Sequence, residues 1–256
     1  MKRRGRARPK GAVVGGRRPA LEAVRSGLAV EIIVAEGNRS TPGLRELLDA
    51  ADRAGTPVRR VSSERVEEMA GDVRHQGVVT RVRLASPLSE QELGARDWAA
   101  DEVVVVLDGV TDPHNLGAVA RTVEAAGAGA MVVRRARGGA LGATAMKASA
   151  GALVHLPVAE VPNIPRALER LKQAQFWVVG LDAEGDNRVG ESEPPPGRVA
   201  LVAGSEGEGL SRLVRETCDE LVSIPMRGRV SSLNVAVAAG IALFVYVSRT
   251  SGSRRA

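Results

Sequence analysis

The chain predicts an α/β fold in two domains, the larger of them built on a parallel sheet. Three observations carry this. Val103–Leu107 is an unbroken apolar run, the mark of a strand covered on both faces by helices. A helical pattern and another apolar strand follow at ordinary spacing, giving a βαβ unit whose crossover is expected to be right-handed. Val199–Val202 is a second such strand, and it runs into the glycine-alternating loop Gly204-Ser205-Glu206-Gly207-Glu208-Gly209.

With 256 residues there is material for one large domain or two smaller ones. The hydrophobic fraction of 44% is ample for a core, and aromatics at 2% leave Val, Leu, Ile and Ala to fill it. No apolar run is long enough to span a membrane, and the basic start is not followed by the apolar stretch of a secretory signal. The single cysteine excludes an internal disulfide and fits a reducing, cytoplasmic setting. A formal charge of +6 favours a polyanionic partner. The scarcity of aromatics argues against a base-stacking single-strand binder.

In chain order, residues 1–12 form a basic arm (Lys2, Arg3, Arg4, Arg6, Arg8, Lys10), read as disordered and able to order on RNA phosphates. Residues 13–85 form a small α/β domain. Its predicted elements are a helix at Arg18–Arg25, a strand at Glu31–Val34, a helix at Gly43–Ala54, a strand at Val58–Val61, a Ser-capped helix at Ser63–Met69 and a strand at Val78–Leu84. The last alternates apolar and basic residues and is expected to be half-exposed, with His75 before it as a turn residue. Residues 86–100 are polar and read as an interdomain linker. The second domain, 101–250, continues after Val103–Leu107 with a helix over Leu116–Ala126 capped by Asn115, a strand at Ala130–Val133 and a helix over Gly142–Ala150. Pro157–Val161 is a strand, Pro165–Ala174 a helix and Phe176–Leu181 a strand, with 182–198 a polar loop. After Val199–Val202 comes a strand at Leu221–Ile224, stopped by Pro225, and a buried helix over Leu233–Val247 capped by Ser231 or Ser232. Residues 251–256 are a basic tail. Two strand ends, two loops and a helix start make a concave site of the kind that holds a cofactor at the strand ends of an open sheet.

Three blocks stand in order: Asp108 with Asn115-Leu116-Gly117-Ala118-Val119-Ala120-Arg121; Gly204 to Gly209; and Ser231-Ser232-Leu233-Asn234-Val235. Together they resemble the pattern of the SpoU (TrmH) family of RNA ribose 2′-O-methyltransferases, in the SPOUT superfamily. The resemblance is closest to the branch that methylates a guanosine ribose in the peptidyl-transferase region of large-subunit (23S) ribosomal RNA. It extends to the small first domain, similar to ribosomal protein L30e, with His75-Gln76-Gly77-Val78 near its end. The resemblance implies a deep trefoil knot formed around 204–209 and 224–234, S-adenosylmethionine held there in a bent shape, and a homodimer through the second domain. Carried over by position, Gly204, Ile224 and Leu233 would contact the cofactor, with Ser232 a further contact. Asn115, Arg121, Glu206 and Asn234 would line the active site.

Transfer of a methyl from a sulfonium to a ribose hydroxyl rests on positioning above all. Arg121 is the proposed base in this family, but a free guanidinium keeps its proton to above about pH 12. The reading here is that Arg121 binds the target phosphate and polarises the hydroxyl; the alternative is a surface ion pair with Glu124. Asn115 could serve only as a helix cap, and Glu206 only as a turn residue. Arg227 and Arg229 are more basic than a cofactor loop requires and are expected to face RNA. His114 beside Asp112 lacks a second ligand at metal spacing, so no metal is expected. Cys218 reads as a buried helix residue rather than a nucleophile. The competing readings are a transfer-RNA ribose methyltransferase, an antibiotic-resistance ribosomal-RNA methyltransferase, and a non-enzymatic RNA-binding module.

Overall fold

The structure, a computed structural model, describes residues 12–71, 74–83, 87–135, 141–191, 197–230 and 232–252. It divides into two compact units, Met1–Ser86 and Pro87–Ala256. Most of the N-terminal basic arm, the end of the C-terminal tail, Leu84 and Ser231 lie outside the described residues.

In the first unit, strands and helices alternate: β1 (Ala12–Gly15), α1 (Arg17–Arg25), β2 (Ala29–Ala35), α2 (Pro42–Arg53), β3 (Val58–Val61), α3 (Ser63–Ala70) and β4 (Val78–Val82). The sheet order is β1-β4-β2-β3, with β4 antiparallel to both its neighbours and β2 parallel to β3. Local chemistry starts the helices: Thr41 accepts the Leu44 N–H ahead of Pro42, and Ser62 accepts the Arg65 N–H. The expectation of a half-exposed last strand is corrected. Val78, Val79, Thr80 and Val82 are all fully buried and only Arg81 is exposed. The reason is topological. β4 is an inner strand, with Val78 packed under α1 and α2 and Val79 packed under α3. β1 was not foreseen, because a strand of four residues beside a glycine pair leaves little periodicity to read. His75 is a turn residue as expected: its Nδ1 accepts the Gly77 N–H at 3.1 Å, and Gln76 between them has φ of 51°.

The second unit starts earlier than the sequence suggests. Residues 87–100 are built into it rather than linking to it. Leu88 bridges to Ala159. Ser89 and Glu92 close a reciprocal capping box on α4 (Glu90–Ala95). Arg166 grips the Glu90 carboxylate, its Nη2 donating at 2.8 Å. Leu93 and Trp98 are buried, and the indole meets Phe176 edge-on at 5.4 Å. The segment looks polar because its apolar residues are few, but they are the ones that dock.

The remaining elements are β5 (Val103–Asp108), α5 (Pro113–Ala125), β6 (Ala130–Arg134), α6 (Ala143–Ala148), α7 (Ala152–His155), β7 (Val158–Val161), α8 (Ile164–Gln173), β8 (Phe176–Leu181), β9 (Asn187–Arg188), β10 (Arg198–Gly204), α9 (Arg212–Thr217), β11 (Glu220–Ser223) and α10 (Val235–Gly252). Every named pairing is parallel, in the order β7-β6-β5-β10-β8-β11-β9. β5 and β10 lie side by side at the centre, fully covered, with Gly204 in register with Asp108. The connection from β5 leads out to β6 and that from β10 leads the other way to β11, so the sheet has a switch point between them. A crevice opens beyond the strand ends at such a point.

Two helix starts differ from expectation. α5 begins at Pro113 with Asp112 as its cap, Asp112 accepting the His114 N–H at 3.0 Å. Asn115 therefore sits inside the first turn, its side chain released from capping. α10 begins at Val235, two residues later than expected, and Asn234 does the capping: its Oδ1 accepts the Ala236 N–H at 3.0 Å. Nor is α10 buried all round. Val235, Ala239, Ala242, Leu243 and Tyr246 face the protein, while Val237, Ile241 and Phe244 are exposed.

Candidate active site

The crevice is a cleft of about 500 Å³. Its floor is the end of β10 and the loop that follows. Gly204 lies so close to the returning chain that a Cβ there would stand 2.1 Å from the Gly209 carbonyl carbon and 2.5 Å from the Leu210 nitrogen. Only glycine permits this approach. Gly207 and Gly209 take φ values of 86° and 67°, which lets the loop double back and bridge Ser205 to Gly209. The loop is pinned to the neighbouring strand by Asp108, whose Oδ2 accepts the Ser211 N–H at 2.7 Å. Ile224, Met226, Ser232, Leu233, Val235 and Ala238 form another wall, and Leu181 to Glu184 with Arg215 form a third.

Three side chains from distant segments meet beside this loop. Glu206 Oε1 accepts from Asn115 Nδ2 at 3.1 Å and from Asn234 Nδ2 at 2.6 Å. Asn234 Nδ2 also donates to Asn115 Oδ1 at 2.9 Å. The orientation of Asn234 is set by the helix it caps: its oxygen is taken by Ala236, so its nitrogen must point to the carboxylate. Among the described residues Glu206 Oε2 has no protein partner, so the cluster keeps one free carboxylate oxygen.

Arg121 is exposed on α5, and no described residue hydrogen-bonds or ion-pairs with it, Glu124 included. Six residues beyond Asn115, it sits about 9 Å further along the axis and about 120° round the helix. The structure thus joins Asn115, Glu206 and Asn234 and leaves Arg121 outside that cluster. Gly204, Ile224, Leu233 and Ser232 all line the cleft. Arg227 and Arg229 are exposed, following Met226 of the cleft wall.

Sequence reasoning missed one polar wall. Arg215 of α9 bridges Asp182 Oδ2 at 3.3 Å and Glu184 Oε2 at 3.0 Å. Asp182 immediately follows β8, the strand beside β10, and only the folded chain brings Arg215 of α9 to it. Cys218 is half-buried and follows α9 as its C-cap rather than lying buried inside the helix as expected, and it lacks the setting of a nucleophile. Burial pushes its thiol up to about 12, and its Sγ donates to the Val214 carbonyl. Among the described residues no group of three or more His, Cys, Asp or Glu could hold a metal ion, and no helix is long and apolar enough to cross a membrane.

A glycine-floored cleft at the switch point of a parallel sheet, with an amide–carboxylate cluster at its rim, defines a small-molecule-dependent α/β enzyme. The chain belongs to the SpoU rRNA Methylase family, whose profile matches residues 102–244, and residues 13–88 match the profile "RNA 2'-O ribose methyltransferase substrate binding". It is similar to the 23S rRNA (guanosine-2'-O-)-methyltransferase RlmB of Escherichia coli K12, 40% identical over 222 residues, which cover 86% of this chain and 90% of that protein. The corresponding RlmB of Xanthomonas campestris is 42% identical over 225 residues, 87% of this chain and 90% of that one. Among solved structures, the SpoU methyltransferase AviRb from Streptomyces viridochromogenes, in complex with the cofactor AdoMet, aligns with a TM-score of 0.77 at 26% identity, covering 94% of this chain and 90% of that one.

Proposed function

We propose that this protein transfers a methyl group from S-adenosylmethionine to the ribose 2′-hydroxyl of a guanosine in 23S ribosomal RNA. The observation that carries the reading is the meeting of Asn115, Glu206 and Asn234 at the rim of the cleft, in a chain about 40% identical to RlmB enzymes along most of its length.

The residues present suit the cofactor. The cleft volume lies in the range of small-molecule sites. The absent Cβ at Gly204 lets the Gly209–Leu210 backbone close against it and so shapes the floor of the cleft. Ile224 and Leu233 supply apolar contact and Ser232 a hydroxyl at the edge. When bound, S-adenosylmethionine supplies an electrophilic methyl on a sulfonium. Glu206, with one carboxylate oxygen uncommitted, is placed to receive the hydrogen bond of an incoming hydroxyl, and Asn115 and Asn234 hold that carboxylate in place. Arg121, with no partner among the described residues, is assigned to the phosphate of the target nucleotide, where it also polarises the hydroxyl as its proton leaves. Arg227 and Arg229 are assigned to the RNA on the cofactor side.

The same reading includes a homodimer through the second unit. The stripe Val237, Ile241 and Phe244 on α10, exposed by 49%, 42% and 53%, is apolar surface of the kind that marks a protein interface. It also includes the trefoil knot around 204–209 and 224–234, contact of the basic arm with RNA, and action in the cytoplasm on ribosomal RNA.

The test is methyl transfer from labelled S-adenosylmethionine to 23S rRNA and to bulk tRNA from cells lacking the protein, mapped by 2′-O-methyl-sensitive primer extension. One labelled guanosine in the peptidyl-transferase region is the expected result. Label on tRNA alone would keep the chemistry and overturn the substrate.

A further inference from the structure

The β–α alternation of the first unit has an electrostatic outcome. β1, β2 and β3 run in one direction and β4 in the other. The helices that follow β1, β2 and β3 therefore all begin at the same edge of the sheet, and β4 starts there too. Arginines gather at that edge, among them Arg17 and Arg18 at the start of α1, Arg39 ahead of α2 and Arg74 ahead of β4.

Some arginines of this unit are neutralised locally, whereas Arg45, Arg53, Arg60 and Arg83 pair with no carboxylate among the described residues. Arg25 pairs with Glu46, Arg59 and Arg81 share Glu31, and Arg65 pairs with Glu68. Arg18, Arg39 and Arg74 are exposed and pair with no carboxylate among the described residues. The carboxylates at this edge are Glu36, and Glu64 in the first turn of α3. The positive ends of three helix dipoles add to the arginine charge.

The edge is also fixed in shape. Arg17 Nη1 donates to Thr41 Oγ1 at 2.7 Å and Nη2 to Asn38 Oδ1 at 3.3 Å, tying the start of α1 to the cap of α2. Asn38 Nδ2 donates to the Gln76 and Gly77 carbonyls at 3.3 and 3.2 Å, tying that loop to the turn before β4. Arg17 Nε is buried with no partner among the described residues. That cost is the mark of a side chain held for what it organises.

We infer that this edge is the RNA-contacting face of the first unit, with Arg18, Arg39 and Arg74 on phosphates of a structured segment and Arg17 as the positioning residue behind them. The inference rests on the proposed RNA substrate and says where that substrate is held. RNA in this form is recognised largely through backbone and shape, which suits a rigid, arginine-bearing edge with no aromatic on it.

The test compares two triple variants of the full chain. One is Arg18→Gln, Arg39→Gln, Arg74→Gln. The other, matched in charge, is Arg25→Gln, Arg53→Gln, Arg83→Gln, at the opposite end of the sheet. Each is titrated into a labelled transcript of the peptidyl-transferase region of 23S rRNA across a salt series. The edge variant is expected to bind on the order of 30-fold more weakly, with a salt slope smaller by about two to three, one unit per lost phosphate contact. The control variant should bind as the parent does. The thermal unfolding profile should be unchanged in both and reports an intact first unit, and S-adenosylmethionine affinity, measured by calorimetry, reports an intact second unit. Parental affinity and salt slope in the edge variant, or equal losses in both variants, would overturn the inference. A chain that binds the transcript through this edge yet never methylates it would remove the proposed function and leave the edge standing.

Discussion

Asn234 Nδ2 meets Glu206 Oε1 at 2.6 Å while its own Oδ1 caps the helix that follows. One amide thus starts a helix and aims a carboxylate. The two tasks separate by substitution. Asn234→Asp keeps the capping oxygen but sets a second carboxylate against Glu206. Turnover should fall about 10²–10³-fold, the scale of losing an oriented hydrogen-bond donor in an active site, while the thermal midpoint barely moves. Asn234→Ala should lose turnover and also about 1 kcal/mol of stability. Single-turnover methylation and thermal denaturation of both variants check this.

Gly204→Ala places a methyl where the backbone of Gly209 already stands. Neither wall is a flexible side chain, so the loop must shift. The expected result is loss of measurable S-adenosylmethionine binding with about 1–3 kcal/mol of destabilisation. Gly207→Ala, where nothing lies within 4 Å of the added carbon but φ is 86°, should cost about 1 kcal/mol or more in backbone strain alone. Calorimetric titration alongside denaturant melts distinguishes the two.

Arg121 pairs with no described residue, so substituting it should leave the fold largely undisturbed. Arg121→Lys keeps the charge and loses the planar fork that matches a phosphate. Turnover should drop at least about tenfold, with S-adenosylmethionine affinity and melting temperature unchanged. Near-parental turnover with unchanged RNA affinity would show that Arg121 has no part in the chemistry.

Phe244→Glu with Ile241→Glu puts charge on the exposed stripe of α10. Sedimentation should show dimer for the parent and monomer for the variant. A parent that sediments as a monomer would remove the interface from the proposed function.

Cys218 should resist alkylation at pH 8, because a thiol pushed up to about 12 by burial is almost wholly protonated there. The sign for stability follows. The unfolded thiol ionises near its ordinary value of about 8.5, so the unfolded state loses its proton first. The thiol's contribution is intact below that pH and is lost as pH rises toward 12. Iodoacetamide labelling with and without denaturant reads the first part, and melts from pH 8 to 11 read the second.

Much of this was legible in the sequence. Val103–Leu107 and Val199–Val202 announced central strands because a strand covered on both faces can be apolar throughout. Gly204, Ile224, Ser232 and Leu233 come from the resemblance to the SpoU family, and all four line the cleft. What failed had physical causes. Asn115 looked like a cap because it precedes an apolar run, but Pro113 fits the first helical position and moved the cap to Asp112. Residues 87–100 looked like a linker because three docked side chains, Leu88, Leu93 and Trp98, are too sparse to form a period. Val78–Val82 looked half-exposed because a central strand in a small sheet can carry arginine at its far end. The Asp182–Arg215–Glu184 wall is a tertiary meeting between β8 and α9, which no local pattern encodes.

The Asn115–Glu206–Asn234 cluster has a consequence in time. Its corners are separated by 91 and 28 residues of chain, and the last comes just ahead of the final helix described. During synthesis Asn115 and Glu206 emerge first and wait, and the carboxylate lacks its second amide until Asn234 has been translated and docked. A growing polypeptide therefore carries an incomplete cluster until its last segment docks. A product cut short before Asn234 also lacks the Val235 and Ala238 wall of the cleft.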